Sequence, residues 1–225
     1  MKIALLTAME IERREIARLL ANPVQKRLGG YDWLAGTLAG NEIFLTAGGI
    51  GKVNAALTAA AAFHTFAPDA LVSTGCAGGL AANLSIGSVV AGSAYAYHDV
   101  DCAFGNVRGQ VQGLPPIFEA DPAVLAAARK TNAIAGLMVS GDQFITPGPR
   151  LDDIRSAFPS ALACEMESAA LAHACHLAKT PFISFRVISD TPGGEASKHI
   201  AQYENFWERL ASSSFGVVRT FLESI

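Results

Sequence analysis

The chain has 225 residues, 51% of them hydrophobic and 16% charged, with a formal net charge of −3. That length suits one sizeable α/β domain with a large core, and a charge-poor surface suits a chain that hides area in an oligomer. The lack of a basic stripe argues against nucleic acid as a partner, and no apolar run reaches the roughly 18 residues that span a bilayer.

"MKIALLTAMEIERRE" opens like a signal peptide, but acidic residues interrupt its apolar part after a few positions. Residues 2–7 read instead as a buried strand and 9–20 as a helix with Ile11, Ile16 and Leu19 on one face. Residues 31–49 suggest a hairpin turning at Gly40-Asn41, 52–66 a helix, and 69–75 a buried strand ending in glycine. Residues 87–99 form a longer strand, followed by a Gly- and Pro-rich loop over 99–120. Asp121 as N-cap and Pro122 at the first helical position start a helix over 121–131.

Residues 136–145 are a strand and "TPGPR" (146–150) a breaker. "ALACEME" (161–167) leads into a helix over 168–179. Residues 181–190 are a strand, 191–199 a loop, and 201–224 one closing helix. This alternation predicts a single three-layer α/β/α domain over 1–225 with a central mixed β-sheet.

Ligands of open α/β sheets bind beyond the carboxyl ends of strands. Glu10 and Glu12, "TGCAGG" (74–79), "GDQF" (141–144), "EME" (165–167) and Ser189-Asp190 all fall at such ends. Taken singly each has a structural explanation, and Glu10 reads as a solvated helix residue. Glu165 and Glu167 lie in a stretch that otherwise resembles protein interior, where an unpartnered carboxylate is costly. "TAGGIGKVN" (46–54) fails the phosphate-loop pattern, because Thr46 stands in for its first glycine and Val53 for its Ser/Thr. His173 and His176 lack further ligands for a metal. Cys76, Cys102, Cys164 and Cys175 show neither metal-ligand nor disulfide spacing, so reduced thiols in a cytoplasmic protein are expected.

Seven motifs in one order, "AMEIE" (8–12), "GGIGKVNAA" (48–56), "STGCAGGL" (73–80), "YHDVD" (97–101), "VSGDQFI" (139–145), "EMES" (165–168) and "RVISD" (186–190), cover nearly the whole chain. Together they resemble the bacterial 5′-methylthioadenosine/S-adenosylhomocysteine nucleosidases of the nucleoside phosphorylase-like fold. The resemblance implies hydrolysis of the N-glycosidic bond of adenine nucleosides bearing a 5′-thio group, with no metal or cofactor. It implies that Glu12 activates water, Asp190 protonates adenine N7 and Glu167 holds the ribose hydroxyls. Phe144 is implied to stack on adenine, Ile145 to bind its edge through the backbone, and Met166 to lie against the ribose. Ala77 and Gly78 are implied as a backbone wall, with Met9 and Cys76 also at the substrate and Arg186 and Ser189 orienting groups near the water and Asp190. Such enzymes are homodimers, in which the 99–118 loop, through Phe104, completes the neighbour's 5′ pocket.

These residue types suit the chemistry. Breaking the bond to ribose builds positive charge on the sugar and negative charge on the base, so a carboxylate and an acid are needed on opposite sides. An aspartate can accept from the exocyclic amine while donating at N7, if a dry pocket keeps it protonated. Phosphorolysis on the same fold is the rival reaction, and the carboxylates of "TAMEIE" would repel phosphate. Futalosine-type hydrolysis and a nucleoside-binding protein that has lost turnover remain open. This chain departs from the family at Cys76, where serine is common, at Gln112 in a shortened loop, and after Asp190.

Overall fold

The computed structural model describes residues 1–191, 196–209 and 216–225. Its first half contains β1 (Lys2–Thr7), α1 (Glu10–Ala17), β2 (Ala21–Leu28), β3 (Tyr31–Leu38), β4 (Asn41–Ala47), α2 (Lys52–Phe66), β5 (Ala70–Gly79) and β6 (Val89–Tyr97). The second half contains β7 (Phe118–Glu119), α3 (Pro122–Ala128), β8 (Ile134–Ser140), α4 (Pro149–Ala157), β9 (Ala161–Glu165), α5 (Ser168–Ala178), β10 (Phe182–Asp190), α6 (Ala196–Arg209) and α7 (Gly216–Leu222).

The sheet is mixed, as the alternation implied. β2, β3 and β4 form an antiparallel arm, and β1 lies parallel between β4 and β5. From β5 onward the sheet closes on itself. β5 pairs parallel with β10 and antiparallel with β9. β10 pairs antiparallel with β6, and β8 lies parallel to both β6 and β9. This ring brings the ends of β5, β8, β9 and β10 around one space. Gly78 has Asp190 as its neighbour on one side and Cys164 on the other. A Cβ on Gly78 would stand 3.0 Å from Asp190 Oδ2, so the bare backbone lets the strands meet there.

Helices cover both faces. On one, Ala55, Ala59, Ala62 and Phe66 of α2 recur at helical spacing and pack with Ala169, Ala172 and Cys175 of α5. On the other, Ile16 of α1, Val124 of α3, Phe206 of α6 and Phe221 of α7 cover Leu5, Val72 and Phe185. Asp121 caps α3 as expected, its Oδ1 accepting from the Ala123 N–H at 2.8 Å.

Several elements differ from the sequence reading. The first helix stops at Ala17, and residues 21–28 form β2, exposed at every position and therefore without a burial period to read. The β3–β4 turn lies at Ala39-Gly40, both with positive φ. Asn41 instead begins β4, where its side chain donates to Leu222 O and accepts from the Met1 amino group, each at 2.9 Å. Pro149, expected only to break structure, opens α4, since proline lacks the N–H that a first helical turn does not use. β7 lies within the expected 99–120 loop. α6 begins inside the expected 191–199 loop, and the expected closing helix is represented by α6 and α7. Positions 192–195 and 210–215 of those two segments lie outside the described residues.

Phe185 is fully buried, with its ring centroid 5.1 Å from that of Phe221. Phe185→Ala is expected to lower unfolding free energy by about 3–5 kcal/mol, read from urea denaturation; an unchanged midpoint would show that this face does not carry the core.

Candidate active site

Glu12 lies in the first turn of α1, and its carboxylate folds back on the helix start. Oε2 accepts from the N–H groups of Ala8 at 3.0 Å and Met9 at 2.9 Å. Oε1 accepts from the Cys76 N–H at 3.2 Å, tying α1 to β5. Burial pushes the Glu12 pKa above the usual glutamate value, against the opposing Arg186 charge and three backbone donors. Gly75 makes the room: a Cβ there would lie 2.6 Å from Glu12 Oε1 and 2.8 Å from Arg186 Nη1. Glu10, two residues earlier, is exposed and paired with Arg13 at 2.7 Å.

The two glutamates of "EME" have different surroundings. Glu165 ends β9 and is saturated with donors: Ser140 Oγ on Oε1, and Arg186 Nη2 (2.8 Å), Arg186 Nε (3.1 Å), the Glu167 N–H (3.0 Å) and Ser168 Oγ (3.0 Å) on Oε2. Burial alone would raise its pKa, but Arg186 and these hydrogen bonds hold it below the usual value. Glu167 stands beyond the strand, at the N-cap position of α5, without capping that helix through its side chain. Its Oε1 accepts from the Gly51 N–H at 2.8 Å, and Arg186 Nη2 is 3.7 Å from its Oε2. Burial and the adjacent Glu165 charge push the Glu167 pKa up, against Arg186 and the Gly51 donor.

Asp190 ends β10 just past a register shift after Ile188, and its Oδ1 accepts from Ser189 Oγ at 2.6 Å. Cys76 beside them is a protonated thiol, because burial and the Glu12 charge raise its pKa well above the ordinary value.

These groups border one cavity of about 680 Å³, including its open mouth. Glu12, Glu167, Asp190, Met9, Cys76, Ala77, Gly78, Phe144, Ile145, Met166 and Ser189 all line it. Two residues named from the resemblance do not. Arg186 is buried behind Glu165 and Glu167, where it neutralises carboxylates and does not touch the cavity. Phe104 is 95% exposed on the loop after β6, where Ala103, Phe104 and Gly105 all have positive φ.

Residues 2–223 match the sequence model of the phosphorylase superfamily. The 5′-methylthioadenosine/S-adenosylhomocysteine nucleosidase of Anoxybacillus flavithermus is 36% identical, covering 100% of this chain and 99% of that protein. The chain belongs to this nucleosidase family. Among solved structures, the S-adenosylhomocysteine nucleosidase of Streptococcus pyogenes in complex with 5-methylthiotubericidin superposes with a TM-score of 0.93 at 35% identity, covering 100% of this chain and 97% of that one. The enzyme of Colwellia psychrerythraea 34H in complex with adenine also gives 0.93, at 36% identity and covering 100% of this chain and 95% of that one.

The nucleosidase cavity has further walls that sequence reasoning passed over, among them Ile50, Gln143 and Tyr203. The Tyr203 ring meets Phe144 edge-on, centroids 5.3 Å apart at 71°, and its hydroxyl donates to Met9 Sδ at 3.7 Å. Tyr203 belongs to α6, which reads from sequence only as part of the closing helix, so no local signal ties it to the site. Gln143 was within reach, since it sits between Asp142 and Phe144 in a quoted motif.

Glu165→Gln would leave Arg186 buried with its 3.7 Å approach to Glu167 as the remaining ion pair shown. A loss of about 3–5 kcal/mol is expected in urea denaturation, whereas Glu10→Gln should change stability by about 1 kcal/mol or less. Equal midpoints for the two variants would remove the structural role given to Glu165.

Proposed function

We propose that the chain hydrolyses the N-glycosidic bond of 5′-methylthioadenosine or S-adenosylhomocysteine, releasing adenine, and that residues 1–225 act as one nucleosidase domain in the cytoplasm. Among the described residues no helix is long and apolar enough to cross a membrane, and the four cysteines are free thiols. The observation that carries the reading is the convergence of Glu12, Glu167 and Asp190 on one cavity, in a chain whose relatives form complexes with 5-methylthiotubericidin and with adenine.

In this mechanism Glu12 removes a proton from water as the bond to ribose breaks. Its three backbone donors orient the carboxylate, and its raised pKa brings it closer to the working pH. Asp190, oriented by Ser189, delivers a proton to adenine N7 so that the base leaves neutral. Glu167 accepts from the ribose hydroxyls, with Met166 against the sugar. Phe144 covers one face of the adenine, Ile145 binds its edge and Ala77-Gly78 form the wall. Arg186 acts from behind, limiting the repulsion among carboxylates that would otherwise be left bare. No Lys, Arg or His among the described residues lines the cavity, which supports water over phosphate as nucleophile. The protonated Cys76 replaces a serine and supplies no nucleophile.

Adenine release from 5′-methylthioadenosine, S-adenosylhomocysteine, 5′-deoxyadenosine and aminofutalosine, with and without phosphate, tests the reaction. Phosphate-independent release is expected, and binding without release would instead indicate a nucleoside-binding protein. Asp190→Asn and Glu12→Gln should each lower kcat by at least about 10²-fold while the nucleoside still binds; full activity in either removes that residue's role. The base must be ionised to act, so a raised Glu12 pKa places the acid limb of kcat/KM above the usual glutamate value of 4.5. A limb at or below that pH would count against Glu12.

We further infer a homodimer in which Phe104 enters the neighbour's cavity. Left-handed backbone at Ala103 and Phe104 costs about 1 kcal/mol or more per residue, yet it holds an apolar ring out in solvent. Val53 and Leu57 of α2 and Leu177 of α5 add exposed apolar area. Light scattering should give twice the chain mass, and Phe104→Ala should raise KM for nucleosides with long 5′ groups. A monomer at micromolar concentration would overturn the dimer.

A further inference from the structure

The Gly51 N–H that meets Glu167 belongs to a peptide unit at the start of α2. Gly51 precedes α2 with φ +96° and, having no side chain, cannot cap the helix it begins. The cap comes from elsewhere: Asp142 Oδ1 accepts from the Lys52 N–H at 2.7 Å, across 90 residues of sequence. The fit is close, since a Cβ on Gly51 would lie 2.9 Å from that oxygen. Lys52 Nζ donates to both oxygens of Asp99 at 2.7 Å and lies 3.8 Å from Asp142 Oδ2. Asp99 Oδ2 in turn accepts from the Asp142 N–H at 2.9 Å. One lysine thus offsets two neighbouring carboxylates and joins the start of α2, the end of β6 and the loop after β8.

The N–H immediately before the capped one is that of Gly51, which donates to Glu167 Oε1. We propose that Asp142 is a positioning residue for Glu167: by capping α2 from across the cleft it aims the Gly51 N–H at that carboxylate and so fixes how Glu167 meets the ribose. The Lys52–Asp99 pair holds Asp142 in place. This rests on the assignment of Glu167 to the ribose hydroxyls.

The base side shares Asp99 with this network but does not use the Asp142 carboxylate. Three main-chain N–H groups of the loop leading to Phe144 and Ile145 donate to acceptors other than the Asp142 side chain: Gly141 to Glu165 O at 3.1 Å, Asp142 to Asp99 Oδ2 at 2.9 Å, and Gln143 to Gly141 O at 2.8 Å. All three survive removal of the Asp142 side chain. Truncation is therefore felt at the sugar and not at the adenine.

The test measures KM and kcat for 5′-methylthioadenosine, and the Kd of free adenine by calorimetry, in the wild type, Asp142→Ala and Asp142→Asn. Asp142→Ala should raise KM about tenfold, the effect of one lost charge-assisted hydrogen bond, with adenine affinity unchanged. Asp142→Asn keeps an oxygen acceptor for the Lys52 N–H and should recover most of the loss. Parallel weakening of nucleoside and adenine would overturn the proposal, as would failure of asparagine to rescue or an unchanged KM. If the wild type releases no adenine, the nucleosidase reading fails by itself, and the nucleoside Kd replaces KM in the same comparison.

Discussion

A buried guanidinium holds this site together. Arg186 is almost wholly enclosed and lies among Glu12, Glu165 and Glu167. An ion taken out of water costs several kcal/mol unless charges and hydrogen bonds replace its hydration. Glu165, at the end of β9, supplies that compensation and is itself satisfied by groups from β8, the N-cap and first residue of α5, and β10. The arrangement cannot form until those elements are together, so the ion pair helps fix the relative position of the strands that surround the cavity.

The same cluster separates the roles of chemically identical residues. Glu165 has so many donors that its charge is stabilised despite burial, whereas Glu167 has a backbone N–H and a more distant Arg186. Glu12 is intermediate, with three backbone donors and a buried carboxylate. All three border the cavity, but environment gives one glutamate to the scaffold and leaves the other two with pKa values moved upward. A cavity bordered by carboxyl groups, with no Lys, Arg or His among its described lining residues, suits a reaction that builds positive charge and disfavours an anionic nucleophile.

Fold and site are coupled through backbone close to side chains. Gly75 leaves space for Glu12 and Arg186, Gly78 for Asp190, and Gly51 for Asp142. In each case the constraint is steric and acts between elements far apart in sequence. The glycine-rich motifs thus mark where carboxylates approach a bare main chain, in contrast to a phosphate loop, where the approaching group would be the ligand.

Periodicity and residue type were enough to identify the alternating strands and helices, the mixed sheet, and the carboxylates at strand ends, because burial on one face or both leaves a pattern along the chain. Motif order pointed to the family, and Glu12, Glu167 and Asp190 could be named from it. β2 left no such pattern because every one of its residues is exposed, and α4 was hidden behind a proline that reads equally as a stop and a start. Tertiary structure alone decided the closure of β5, β10, β6, β8 and β9 into a ring, since strand order depends on which edges meet in space. It likewise placed Arg186 behind the cavity, Tyr203 in its wall and Asp142 at the start of a helix 90 residues away. Those contacts join segments distant in the chain, and the energy that selects them arises only when burial removes water from both partners.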